Sequence, residues 1–168
     1  MSHTVYIALG SNLGDRESNL HAAVQALAPV LRVLQCSPVY ETPPWGYLDQ
    51  PAFLNQVLCA ETDLFPRALL RFLQGVEVKL GRVKSILNGP RPIDLDIIFY
   101  DHLVYTSPKL TIPHPRLPGR GFVLVPLADL AADYVHPLLG VLVSELLEQA
   151  DQRGIQLYTG HSCADRTE

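Results

Sequence analysis

The spacing of apolar residues switches between a period of two and a period near 3.6 along this chain, and the order of those switches restricts the fold most. Val5-Tyr6-Ile7-Ala8-Leu9 reads as a strand ended by the turn residues Gly10-Ser11-Asn12. Leu20, Ala23, Val24 and Leu27 then recur at helical spacing, with Asp15 placed to cap that helix and Pro29 to end it. Val33 to Tyr40 and Phe53 to Thr62 read as strands, separated by a Pro- and Gly-containing connection, Glu41 to Pro51, too long for a hairpin turn. Pro66 suits a first helical turn, and Leu69, Leu70, Leu73, Val76 and Leu80 form a stripe that stops at Gly81. Ile93 to Tyr100 returns as a strand. The order β-α-β-β-α-β predicts an α+β, ferredoxin-like core: an antiparallel sheet with helices packed on it. Val104 to Tyr105 can add a minor strand, and Pro126 to Ala131 and Val141 to Ala150 predict additional C-terminal short helices. We expect one domain over 1–158 and a flexible tail over 159–168, where no apolar face is evident.

The chain's 168 residues, 48% hydrophobic, suffice for one domain with a sizeable core. A formal charge of −4 argues against broad binding to nucleic acid or anionic membrane, which needs a basic footprint. No opening signal segment and no apolar stretch of roughly 18–20 residues is present, so a cytoplasmic protein is expected. Cys36, Cys59 and Cys163 lack metal-finger or redox-pair spacing, and we expect reduced thiols. Nothing in the sequence sets an oligomeric state beyond a default expectation of a monomer.

Asp94 and Asp96 sit one residue apart within an apolar run. In an extended strand they share a face about 6.5–7 Å apart, while Ile93, Leu95 and Ile97 point the other way. The pair fits either the wet face of an ordinary strand or a hard divalent cation held by paired oxygens. Basic segments bracket it: Lys79, Arg82, Lys84 and Arg91 before, Lys109, Arg116 and Arg120 after, with no acidic residue inside either segment. Short basic clusters are often only solvated loops. Read together, cations on both sides of a carboxylate pair suit a polyphosphate held between metal and guanidinium groups. No P-loop pattern is present, and Gly10-Ser11-Asn12-Leu13-Gly14 is more safely a tight turn.

Several separated segments resemble one enzyme family, the 6-hydroxymethyl-7,8-dihydropterin pyrophosphokinases of folate biosynthesis. They are Ala8-Leu9-Gly10-Ser11-Asn12-Leu13-Gly14-Asp15, Tyr40-Glu41-Thr42-Pro43-Pro44-Trp45-Gly46, Phe53-Leu54-Asn55, Gly81-Arg82, Gly89-Pro90-Arg91 with Asp94-Leu95-Asp96, Ile112-Pro113-His114-Pro115, and Arg120-Gly121-Phe122 leading to Pro126-Leu127. The resemblance implies transfer of pyrophosphate from ATP to the hydroxymethyl group of the reduced pterin, releasing AMP. It makes Asp94 and Asp96 the ligands of two Mg²⁺ ions, and Arg82 and Arg91 catalytic cations beside them. It further implies ATP contacts at Gln74, Glu77, Lys84, Arg91, Ile97, Lys109, Thr111, His114 and Arg120. Pterin contacts are implied at Thr42, Pro43, Trp45, Phe53, Asn55 and Phe122, the aromatics stacking and Asn55 pairing with the heterocycle's edge.

One segment departs from the family pattern. Asn88 stands where an aromatic commonly precedes Gly-Pro-Arg, Lys84 where arginine is common, and Leu87 where a basic residue is frequent. Reduced stacking over the pterin is the expected consequence. Two other readings remain open on sequence alone: a weakly catalytic nucleotide-binding relative, and an RNA-binding ferredoxin-like module, which the acidic charge disfavours.

Overall fold

A computed structural model describes residues 1–83 and 88–159. The chain runs β1 (His3–Ser11), α1 (Arg16–Leu27), β2 (Arg32–Cys36), β3 (Tyr40–Thr42), β4 (Phe53–Thr62), α2 (Pro66–Lys79) and β5 (Asp94–Tyr100). After these come β6 (Tyr105–Thr106), β7 (Thr111–Ile112), a 3₁₀ turn at Leu117–Gly119, α3 (Gly121–Ala131), α4 (Val143–Gln149) and β8 (Gln156–Leu157). The main sheet is antiparallel in the order β5-β1-β4-β3-β8, with β2 also paired to β4. Counting β2 and β3 as one interrupted strand, this is the β-α-β-β-α-β arrangement expected from periodicity. Asp15 caps α1 through its carboxylate, which accepts from the Ser18 N–H at 3.1 Å.

The expected single strand Val33 to Tyr40 is broken in two because Pro38 has no N–H to give the ladder. Ser37 ties the break to β4: its N–H donates to Val57 O at 2.8 Å, and its hydroxyl accepts from Val57 N–H at 2.9 Å. The expected start of the first late helix at Pro126 is also too far along. α3 begins at Gly121 and carries Pro126 inside it. The unpatterned stretch after Gln152 contributes β8, which adds to the sheet edge through backbone pairing to Tyr40 and Glu41 and so needs no apolar stripe. Cys59 is buried and free, Cys36 is disulfide-bonded, and Cys163 lies outside the described residues, so the expectation of reduced thiols fails at Cys36. Of the expected tail, 160–168 also lie outside them.

Helices cover both faces of the sheet. Against one, Leu20, Ala23 and Leu27 of α1 and Leu69, Leu73 and Val76 of α2 pack on Val5, Ile7, Leu9, Leu54, Leu58, Leu95 and Ile97. Against the other, Val123, Leu124 and Leu127 of α3 and Val143 and Leu146 of α4 pack on Ala8, Val57, Ile98 and Phe99. A bulge lets β5 serve both layers. Its register against β1 shifts between Tyr6 and Ile7, leaving Ile98 as an extra residue, so that Ile98 and Phe99 both join the second layer. Neither α3 nor α4 covers the whole second face, and the uncovered end lies over Gly10, Asn55 and Asp94. No helix among the described residues is long and apolar enough to cross a membrane.

Candidate active site

The floor of the site is a row across three strands. Gly10 in the central strand pairs with Asn55 on one side and Asp94 on the other, and Ala8 pairs with Val57 and Asp96. Small residues are required there: a Cβ on Gly10 would lie 2.8 Å from Asn55 Oδ1. Asn55 is turned toward β3, where its Nδ2 donates to Thr42 Oγ1 at 2.7 Å. Above this floor opens a cleft of about 490 Å³ including its mouth, bounded by Phe53, Trp45 and Phe122 and reaching Asp94 and Asp96. Trp45 and Phe122 meet at 6.4 Å between ring centroids. Cations lie on these rings, Arg91 at 5.2 Å from Phe53, and Arg120 at 5.2 Å from Trp45 and 5.5 Å from Phe122.

At the carboxylate end, Asp94 accepts from Arg82 Nη1 at 2.8 Å and lies 3.4 Å from Arg91 Nη2, and Asp96 lies 3.7 Å from Arg120 Nη1. Arg82 also pairs with Glu77, which is 7% exposed and accepts from the Leu95 N–H at 2.9 Å. Burial and the neighbouring Asp94 push the Asp96 carboxyl up to about 7, with Arg120 pulling the other way. Burial and Arg120 hold the His114 imidazole down at about 4, so it is neutral at pH 7. The Nε atoms of Arg91 and Arg120 are buried without a hydrogen-bond partner. Two guanidinium Nε donors without acceptors, beside a pair of carboxylates, suit a ligand carrying oxyanions together with a cation. Among the described residues no group of three or more His, Cys, Asp or Glu forms a self-sufficient metal site. That donor set fits Mg²⁺, which is commonly held by one or two carboxylates and completed by water and phosphate oxygens.

Comparison with known proteins decides the family. The model of 7,8-dihydro-6-hydroxymethylpterin-pyrophosphokinase (HPPK) matches residues 6–132. The chain belongs to this family. It is 47% identical over 156 residues to the folic acid synthesis protein fol1 of Schizosaccharomyces pombe, covering 92% of this chain and 21% of that one. It is 41% identical over 162 residues to the 2-amino-4-hydroxy-6-hydroxymethyldihydropteridine pyrophosphokinase of Pseudomonas aeruginosa, covering 95% and 99%. The chain thus spans about a fifth of the fungal relatives and nearly all of the bacterial one. The wild-type HPPK-DHPS crystal structure from Plasmodium falciparum superposes with a TM-score of 0.74 over 89% of this chain and 45% of that chain, at 14% identity, a likeness of fold.

Against the family pattern, the structure gathers Thr42, Pro43, Trp45, Phe53, Asn55, Arg91, Asp94, Asp96, Arg120 and Phe122 around one cleft, with Arg82 behind Asp94. Other expected contacts lie apart. Gln74 is exposed on α2 and Lys109 is exposed in the β6–β7 connection. Thr111 is half-buried on β7, which packs beside β5. Ile97 turns its side chain, 3% exposed, into the helix-side core and can offer a ligand only its backbone. Glu77 is neither solvated nor free, since its carboxylate is engaged by Arg82 and Leu95. His114 is half-buried, and its N–H donates to Ile98 O at 3.1 Å. Lys84 and Leu87 lie outside the described residues. Ala8, Gly10 and Asn88 also line the cleft; sequence reasoning named none of them as a contact, although it marked Asn88 as standing where the family's stacking aromatic is common. A glycine inside a strand pattern signals close approach by another group and could have found Gly10. Asn88 has φ +57°, a left-handed conformation that asparagine tolerates and a bulky aromatic does not, which accounts for the residue found there.

Proposed function

We propose that this chain transfers the pyrophosphoryl group of ATP to the hydroxymethyl oxygen of 6-hydroxymethyl-7,8-dihydropterin, forming the pterin diphosphate and AMP. The observation carrying this reading is the adjacency within one cleft of an aromatic slot with a single amide-lined edge and a carboxylate pair ringed by three arginines. The slot suits a flat heterocycle whose donors and acceptors lie along one side: Phe53 and Phe122 supply faces, and Asn55, held by Thr42, supplies the polar partner.

The hydroxymethyl oxygen bonds to the β-phosphorus as the bond from that phosphorus to the α,β-bridging oxygen breaks; AMP departs with that oxygen and the hydroxyl proton is released to solvent. This chemistry needs in-line placement and charge stabilisation more than a protein nucleophile. Arg91 and Arg120 line the cleft beside the carboxylates, where their guanidinium groups can meet phosphate oxygens. Arg82, anchored on Glu77, orients Asp94. Asp94 and Asp96 would hold Mg²⁺, two ions by the family pattern, supplying neutralisation of the polyphosphate and a more acidic attacking hydroxyl. Neutral His114 and the β7 segment with Thr111 and Lys109 border the far side of β5, where the nucleoside would extend. Incubation with ATP, Mg²⁺ and the reduced hydroxymethylpterin should yield AMP and pterin diphosphate in equal amounts. AMP without the pterin product, or no turnover, would reject the reading.

A further inference from the structure

Two side-chain amides beside Arg91 take no part in the chemistry above. Asn12, 1% exposed, uses both of its side-chain donors and its side-chain oxygen on other loops. Its Nδ2 donates to Gln50 Oε1 at 2.9 Å and to Pro51 O at 3.0 Å, and its Oδ1 accepts from the Arg91 N–H at 2.9 Å. The Asn12 N–H itself donates to Arg91 O at 3.2 Å. Gln50 continues the chain of bonds, donating from Nε2 to Tyr47 O at 2.6 Å and Asn88 O at 2.7 Å. The 43–52 loop, which carries Trp45, is thereby tied to both ends of the short segment 88–91. The two loops touch at Gly46, whose φ of +80° favours glycine and where a Cβ would lie 2.7 Å from Asn88 Nδ2.

Arg91's own guanidinium lies 5.2 Å from the Phe53 ring and makes few polar contacts. Its Nη1 donates to Gly89 O at 3.0 Å, its Nη2 lies 3.4 Å from Asp94, and its Nε has no partner. The guanidinium can be placed only as well as the backbone that carries it: Asn12 holds both the N–H and the carbonyl of Arg91, and Gln50 holds Asn12 and the Asn88 carbonyl. We propose that Asn12 and Gln50 are positioning residues, an amide latch that couples the 43–52 loop over the pterin to the placement of Arg91 at the phosphates. The proposal rests on the function argued above and adds to it a route by which occupation of the pterin slot aligns a phosphate-binding cation.

Single-atom changes separate the halves of the latch. Gln50→Glu keeps the oxygen that accepts from Asn12 but loses both donors, placing a carboxylate oxygen against the Tyr47 and Asn88 carbonyls. Asn12→Asp keeps the acceptor for Arg91 N–H and loses the donors to Gln50 and Pro51. Each should lower kcat by roughly 10- to 100-fold, the scale of a small misplacement of a reacting group, with KM for ATP within about twofold of wild type. In an Arg91→Ala background, Gln50→Glu should cause no further loss, because it acts through Arg91. A purely structural tie would leave kcat per folded molecule unchanged, or would multiply with Arg91→Ala, and either result overturns the latch. Hydrogen exchange supplies a readout independent of turnover. Within Pro90-Arg91-Pro92 only Arg91 has an amide hydrogen, and its exchange should accelerate at least about tenfold in Gln50→Glu. Unchanged protection would overturn the latch even if the wild-type protein made no pterin diphosphate, an outcome that rejects only the functional reading.

Discussion

The same three strands present two chemically opposite faces. Toward α1 and α2, β1 gives Val5, Ile7 and Leu9, β4 gives Leu54 and Leu58, and β5 gives Leu95 and Ile97, all at most 4% exposed and all apolar. Toward the cleft, the alternate positions give Gly10, Asn55, Asp94 and Asp96, with two buried arginine Nε atoms lacking acceptors above them. The first face is complete in the protein alone. The second buries two carboxylates among three arginines and leaves two guanidinium donors unpartnered, an arrangement that costs stability and suits a site for a ligand. Stability and activity should therefore respond to different residues of the same strand.

The sharpest break would come from Asp96→Asn. Turnover should fall by about 10³-fold, the scale of removing a principal charge-stabilising group. Without Mg²⁺ the melting temperature should hold or rise, since the variant relieves like-charge repulsion with Asp94. Near-wild-type turnover would show that the cleft face does not depend on its carboxylates. Leu58→Ala tests the opposite face: urea titration should show a loss of about 3 kcal/mol from the cavity it leaves, with kcat per folded molecule unchanged. A fall in kcat there would mean that the two faces are coupled. Asn55→Ala should weaken pterin binding by about 1.5 kcal/mol, measured by calorimetry, and leave ATP affinity alone.

The smallest effect concerns pH. A carboxyl raised to about 7 binds more protons folded than unfolded between about pH 4 and 7. Metal-free stability should therefore decline through this group as pH rises across that window. On the proposal that Asp94 and Asp96 hold Mg²⁺ in their ionised form, its apparent affinity should drop about fourfold from pH 8 to 6.5. Asp96→Asn should abolish the stability trend, and a wild-type trend of the opposite sign would overturn the assignment.

Much of this was legible before any coordinates. Alternation placed Asp94 and Asp96 opposite Leu95 and Ile97, and the helical stripes named the faces that α1 and α2 bury. These signals survive because strand and helix periodicities are properties of neighbouring residues. The break at Pro38 was readable in principle. The bulge at Ile98 was not, because it arises in pairing with Tyr6 and Ile7 from the other end of the chain. At Ile97 the family pattern named a contact whose side chain is already turned into the core by strand alternation.

What the sequence determined by itself is the order of elements, the two faces of each strand and the kinds of group available for chemistry. Tertiary structure alone decided which of those groups meet. Arg82, Arg91 and Arg120 converge on two carboxylates, and Asn12 reaches Gln50 and Arg91, 38 and 79 residues away. Such contacts depend on how loops close across the finished sheet, and no local spacing encodes that closure.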